Sequence, residues 1–132
     1  NSLKKLEYRG YDSAGLATLD KDEISEKKCS GRVEELEKIL FKSPSNGHLG
    51  IGHVRWATHG VPNILNAHPH SSEIVSVVHN GIIENSDEIK KDLESKGLKF
   101  KSQTDTEVIT LLITEALKDN EPLESVFNTL KQ

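Results

Sequence analysis

The spacing of apolar and polar positions changes along the chain, and each spacing predicts an element. Leu3 and Leu6 lie at helical spacing with no capping residue ahead of them, so the sequence opens as if entered partway along a helix. Turn formers fill residues 9–15, after which Leu16 to Leu19 reads as a short strand and Glu23 to Lys28 as a weaker one. Between Arg32 and Phe41, the side chains of Val33, Leu36, Ile39 and Leu40 share one helical face, with Ser30 available as a cap and Pro44 just past the end. His48 to Trp56 alternates as a strand. The polar stretch that follows to Ser72, punctuated by Pro62 and Pro69, reads as a loop, where sites tend to gather.

Ile74 to His79 is β-branched and apolar enough for a buried strand ending at Asn80-Gly81. Ser86 to Lys96 places Ile89 and Leu93 four apart and stops at Gly97, an amphipathic helix with its polar face outward. A short strand is expected through Leu98 and Phe100. Thr106 to Lys118 is apolar nearly all round, which suggests burial against more than one neighbour. Pro122, at a first-turn position, opens a last helix through Leu123, Val126, Phe127 and Leu130. Strands interleaved with helices give a mixed α/β or α+β class, without fixing a topology.

Composition narrows the function. At 132 residues the chain is the size of one ordinary domain. Its 17 basic and 21 acidic residues are interspersed, net charge −4, so no basic face for nucleic acid is expected. No apolar run approaches the roughly 20 residues that cross a bilayer. The one cysteine, Cys29, excludes an internal disulfide framework and fits a reducing, cytoplasmic setting. There is no methionine, so Asn1 is expected to lie inside a longer protein.

Several segments put small, polar or cationic residues where a core would want apolar ones. Arg55 can hold a carboxylate through two parallel hydrogen bonds, although an Arg stacked on Trp56 at the surface satisfies the same pair. Asn80-Gly81 is the strongest dipeptide for a hairpin turn, with Ile82 and Ile83 beginning the return strand; the same two residues could also converge on one oxygen as an oxyanion hole. His53, His59, His68, His70 and His79 invite a metal, but their spacing matches no zinc motif and structural histidines are the commoner reading. Around Thr104-Asp105-Thr106-Glu107 an N-cap is expected, and a carboxylate there could alternatively meet a substrate ammonium. Cys29 has no cationic neighbour in sequence and reads as a quiet thiol.

Taken together, Leu6-Glu7-Tyr8-Arg9-Gly10-Tyr11-Asp12-Ser13-Ala14-Gly15, Gly52-His53-Val54-Arg55-Trp56-Ala57-Thr58-His59-Gly60, Asn66-Ala67-His68-Pro69-His70, His79 to Asn85 and Thr104 to Glu107 resemble one family, the glutaminase domains (class II glutamine amidotransferases) of the glucosamine-6-phosphate synthase type. Phosphoribosyl and asparagine-forming amidotransferases share the Arg and the Asn-Gly but usually not the Arg-Trp-Ala-Thr-His-Gly or Asn-Ala-His-Pro-His wording.

The resemblance implies an αββα sandwich of the N-terminal-nucleophile hydrolase type, here a partial domain over 1–132 that lacks the strand bearing the nucleophile and the later part of the domain. It implies glutamine hydrolysis by a cysteine thiolate, with ammonia passed to a sugar-phosphate isomerase domain of a homo-oligomeric parent protein. No cofactor, metal, nucleic acid or membrane enters. Carried over residue by residue, Arg55 would hold the glutamine α-carboxylate and Asp105 its ammonium. Trp56, Thr58 and His59 would complete the pocket, Asn80 and Gly81 would form the oxyanion hole, and Arg9 and Gly10 would line the nucleophile's end. The family's cysteine start is absent, so this chain is expected to be inactive by itself. A non-catalytic amino-acid-binding module and a plain interaction domain that self-associates through uncovered sheet edges remain the rival readings.

Overall fold

In a computed structural model of the chain, residues 2–56 and 61–131 are described. A 3-10 helix, Leu3–Arg9, leads into strand β1 (Ser13–Asp20), which is followed by β2 (Glu23–Ser30), helix α1 (Val33–Lys42) and β3 (Leu49–Arg55). Two short strands, β4 (His70–Ser71) and β5 (Ser76–Val77), precede helices α2 (Ser86–Ser95), α3 (Thr106–Ala116) and α4 (Pro122–Thr129). Strand β1 is the centre of an antiparallel sheet of order β2-β1-β3. Its hairpin with β2 turns through Lys21 and Asp22, both at positive φ, 48° and 66°, as a two-residue turn that matches strand twist requires.

Alternation along the strands gives this sheet two unlike faces. On one, Ala14, Leu16, Cys29 and Val54 meet Val33, Leu36, Ile39 and Leu40 of α1, with Leu3 packed alongside. This is the apolar core. Ser30 does not cap α1 as its position suggests; Glu7 in the 3-10 helix does, its Oε1 accepting the Val33 N–H at 2.7 Å. A carboxylate at a helix N-terminus also suits the helix dipole.

The other face is polar. It carries Ser13, Gly15, His53 and Arg55, all buried, with Gly15 opposite His53 and Ser13 opposite Arg55 in the register. Against it lies the segment 66–70, which continues into β4; β4 pairs antiparallel with β5, and α3 packs behind both. The order of layers is therefore helix, three-stranded sheet, two-stranded sheet, helices, with α2 and α4 against α3. Gly15 permits the approach: the His68 carbonyl oxygen occupies the place a Cβ would take.

Hydrogen bonds tie the 66–70 segment in turn to the start of α3. His68 Nε2 lies 2.9 Å from Thr106 Oγ1 and His70 Nε2 2.8 Å from Thr104 Oγ1, while Thr110 donates to the His70 carbonyl at 3.2 Å. Asn66 and Gln103 pair amide to amide, the Gln103 N–H reaching Asn66 Oδ1 at 2.8 Å and Asn66 Nδ2 reaching Gln103 Oε1 at 3.1 Å. The His68 ring packs against His53 at 4.5 Å between centroids and edge-on to His70 at 4.8 Å. The 66–70 stretch is thus a loop in conformation but not at the surface.

Three expected strands come out differently. Ile74 to His79 is not a buried strand: only Ser76 and Val77 pair, and Ile74 is exposed. No return strand follows Gly81, because the Ile83 N–H is held by Asp105 Oδ2 at 2.8 Å and the chain turns into α2. Residues 98–100 form no strand. The four helices stand where periodicity puts them, Pro122 in the first turn of α4. In α3, Val108 is fully buried while Leu111, Leu112 and Ile113 are half-buried, each neighbour covering part of the circumference.

Two outcomes follow. Gly15→Ala drives a methyl into the His68 carbonyl and is expected to cost about 1–3 kcal/mol, read as a lower urea midpoint; an unchanged midpoint would mean the layers are not in contact there. The second concerns pH. Burial, reinforced by the neighbouring histidines, Arg55 and Lys28, lowers His68 to about 2, and burial with Lys28, Arg55 and His53 lowers His70 to about 3. Both rings are neutral in the fold, so between those values and the ordinary 6.5 the unfolded chain binds more protons. Stability is full above pH 6.5 and drains as pH falls, by up to about 1.4 kcal/mol per pH unit for each ring. Urea titrations from pH 7.5 to 5 measure the slope, and a flat profile would contradict two buried neutral rings.

Candidate functional site

Between the polar face, the start of α3 and the loop after β5 lies a pocket of about 490 Å³. It is lined by residues from five separated parts of the chain, His68 of the 66–70 segment among them. Arg55 comes from the last position of β3, on the same face as His53, two residues before it. Asp105 and Thr106 come from the N-terminus of α3. Asn80 and Gly81 come from the loop between β5 and α2, and Arg9 and Gly10 from the end of the 3-10 helix.

Arg55 is not a surface residue stacked on Trp56. It is only 4% exposed, and its Nη1 is 3.3 Å from Asp12 Oδ1, a carboxylate 43 residues earlier that also accepts the Ser13 hydroxyl at 2.7 Å. The Asp12 N–H in turn donates to the Arg55 carbonyl at 2.8 Å. A buried guanidinium with a carboxylate beside it keeps a fixed direction, and its fork of five N–H donors can serve a second carboxylate as well. Trp56 also lines the pocket, two-thirds exposed, with its ring over Gly10, whose φ of 101° and lack of a Cβ make room for the indole.

Asp105 occupies the N-cap position of α3 without capping it. Its Oδ2 accepts the Ile83 N–H at 2.8 Å and its Oδ1 is 3.5 Å from the Thr106 hydroxyl, so the carboxylate is anchored to the Asn80–Gly81 loop while it borders the pocket. A carboxylate accepts up to about four hydrogen bonds, which leaves it capacity for an ammonium. Asn80 is exposed on the pocket wall, and its Oδ1 lies 2.8 Å from His53 Nε2. The pocket therefore offers a cation, an anion and the carboxamide and backbone of Asn80–Gly81.

Of the residues expected at the site, Arg9, Gly10, Arg55, Trp56, Asn80, Gly81 and Asp105 come together in this pocket, while Thr58 and His59 lie outside the described residues. Asp12 escaped the sequence reading because nothing local ties it to Arg55. Glu107 escaped it too: its carboxylate, buried, accepts the N–H groups of Lys101 and Ser102 at 2.9 and 2.7 Å and fixes the turn that leads to Thr104 and Asp105. Its position in the first turn of α3 was the available signal.

Cys29 takes no part. It is 4% exposed in the core beneath α1, its Sγ 3.6 Å from the Arg32 carbonyl, and burial pushes its thiol up. His53, His68, His70 and His79 are spent on threonines, on Asn80 and on one another, and among the described residues no group of three or more His, Cys, Asp or Glu is arranged to hold a metal. Among those residues, too, no helix is long and apolar enough to cross a membrane.

Comparison with known proteins bears on the fold and the family. Two solved structures superpose closely. One is the glutamine phosphoribosylpyrophosphate amidotransferase from B. subtilis complexed with ADP and GMP, with a TM-score of 0.79 and 29% identity over 96% of this chain and 28% of that one. The other, described as the allosteric regulatory enzyme of purine biosynthesis, has a TM-score of 0.82 and 30% identity over 98% of this chain and 29% of that one. The fold is the αββα sandwich of the N-terminal-nucleophile amidotransferases.

In sequence, the chain is 50% identical to the glutamine–fructose-6-phosphate aminotransferase (isomerising) of Mesorhizobium japonicum, over 100% of this chain and 22% of that protein. It is 58% identical to the enzyme of the same name in Clostridium acetobutylicum, over 84% of this chain and 19% of that protein. The chain thus spans about a fifth of the length of these relatives. The sequence profile of the glutamine amidotransferase domain matches residues 64–131, a stretch that holds Asn80, Gly81 and Asp105, and the chain belongs to that family.

Proposed function

We propose that residues 1–132 are the substrate-binding part of a glutamine-hydrolysing domain within a longer protein, whose ammonia converts fructose 6-phosphate to glucosamine 6-phosphate. The observation that carries this reading is the pocket in which Arg55, Asp105 and Asn80–Gly81 meet. Glutamine has three groups to be held, and the pocket has one partner for each. Its α-carboxylate pairs with Arg55 and its α-ammonium with Asp105. The carbonyl oxygen of its side-chain amide points to the Asn80 NH2 and the Gly81 N–H, and Trp56, Arg9 and Gly10 close the walls.

The chemistry needs a thiolate. Its attack on the amide carbon puts negative charge on the carbonyl oxygen, which is the charge an oxyanion hole stabilises. Collapse of that adduct, with the proton given up by the thiol passed to the departing nitrogen, releases ammonia and leaves a glutamyl thioester, which water cleaves to glutamate and free thiol. Cys29 lies under α1, away from the pocket, so in this reading the thiol comes from outside residues 1–132.

The acceptor is assigned by kinship: relatives at 50–58% identity are named for fructose 6-phosphate, whereas the phosphoribosyl relative stands at 29%. A sugar-phosphate isomerase domain as the ammonia's destination, a homo-oligomeric assembly and a cytoplasmic setting belong to the same proposal.

Two measurements test it. Purified 1–132 is expected to release no glutamate from glutamine in a coupled assay, and release at a rate near that of the longer protein would overturn the assignment of the nucleophile. In the longer protein, Arg55→Ala is expected to raise KM for glutamine by roughly 10- to 150-fold, the loss of one charged hydrogen-bonding partner. Calorimetry on the same pair reads the binding directly. An Arg55→Ala protein that binds glutamine as tightly as its parent would sink the pocket assignment.

A further inference from the structure

The carboxamide of Asn80 has two ends, and what it offers the pocket depends on which end is turned inward. The bond to His53 decides this: Asn80 Oδ1 lies 2.8 Å from His53 Nε2. Asn80 itself is exposed, on a loop that belongs to no ladder, so nothing in its own backbone fixes its χ2. His53, by contrast, is only 8% exposed, sits in β3 opposite Gly15, and has its ring against that of His68 at 4.5 Å. A fixed ring is holding a mobile amide.

The tautomer follows from the other ring nitrogen. His53 Nδ1 is buried and has no hydrogen-bond partner among the described residues. As a bare lone pair it forgoes one acceptor bond; as an N–H it would be an orphaned buried donor, the rarer of the two in folded proteins. A doubly protonated ring would put that same donor there, and burial, with Arg55 nearby, holds His53 below its ordinary value. The proton therefore resides on Nε2, which donates to Asn80 Oδ1 and leaves the Asn80 NH2 as the end presented to the pocket.

We infer that His53 is a positioning residue for the hydrolytic reaction: it fixes Asn80 with its oxygen held and its NH2 aimed at the developing oxyanion. This rests on the reading of Asn80 as an oxyanion donor given above. Without His53 the amide samples both orientations, and in the wrong one it turns an oxygen toward an oxyanion. The effect falls on the transition state and not on glutamine in its ground state, which Arg55 and Asp105 hold.

The test uses the longer protein with its nucleophile and measures glutamate release for His53→Leu, His53→Gln, Asn80→Ala and the double variant His53→Leu/Asn80→Ala. Asn80→Ala is expected to lower kcat about 100- to 1000-fold as the loss of one oxyanion donor. His53→Leu is expected to lower kcat about 10- to 100-fold with KM within about twofold, since it misorients that same donor. Gln places an N–H donor near the position of the ring Nε2 and is expected to keep kcat within about threefold. The double variant is expected to be no slower than Asn80→Ala alone.

If Asn80→Ala leaves kcat unchanged, the oxyanion reading itself fails. If Asn80→Ala is slow while His53→Leu is not, or if the two losses multiply in the double variant, the oxyanion reading stands and the role of His53 is overturned. Should His53→Leu not fold, nitrogen NMR of histidine-labelled wild-type protein decides: a proton on Nε2 of His53 supports the inference, and a proton on Nδ1 refutes it.

Discussion

Everything at the site hangs on a polar seam between two sheets. The three-stranded sheet meets the 66–70 segment where the His68 carbonyl backs onto Gly15 and the His53 and His68 rings pack at 4.5 Å, and that segment is bound to the start of α3 through His68–Thr106, His70–Thr104 and Asn66–Gln103. Such contacts are directional. A buried donor or acceptor that slips out of register loses a partner it cannot replace with water, which costs about 1–3 kcal/mol for each group, so the 66–70 segment and the start of α3 have one acceptable relative position, and the Gly15–His68 contact seats both on the sheet. Because β3 delivers Arg55 from one side of the seam and α3 delivers Asp105 from the other, the seam also fixes the gap between the pocket's cation and its anion.

The division of labour between the faces of the central sheet explains how a chain with so few large buried side chains holds a defined pocket. Adhesion comes from the α1 side, where Val33 and Leu36 cover Ala14 and Cys29. Alignment comes from the opposite side. Glu7 and Glu107 serve both by binding backbone N–H groups at α1 and ahead of α3, each carboxylate fixing the entry of a helix or turn. Apolar side chains left outside these two layers, Phe41, Leu123 and Leu130 among them, remain exposed.

The helices were legible because their signals are local: one apolar face in 32–41, Gly97 after α2, Pro122 at the start of α4. What was lost was decided by distant partners. Asn80-Gly81 reads as a hairpin turn by its own chemistry, and only the carboxylate of Asp105, bound to Ile83, turns the chain into α2 instead. The burial of 66–70 was hidden by its composition, since polar, proline-containing stretches usually lie at the surface. Lys21-Asp22 carries the φ signs of a tight hairpin without the Asn-Gly that announces one. The pocket residues, by contrast, were readable as a set, because five motifs in order say more than any one of them, and the geometry brings together those that fall within the described residues. Asp12 was the exception, its partner 43 residues away.

The single bond from the Ile83 N–H to Asp105 does more than terminate a loop. It pinches the chain shut at the two ends of an excursion that contains all of α2, so the pocket's walls are joined at the neck and the helix hangs outside it as a closed lariat. At the far end of that lariat, Gly97 has open space around it, with nothing within 4 Å of where a side chain would begin. Apart from position 97 itself, where a φ of 88° favours glycine, the tip is free to drift in length, because the spacing between the carboxamide loop and the carboxylate is set at the neck, by one hydrogen bond of 2.8 Å.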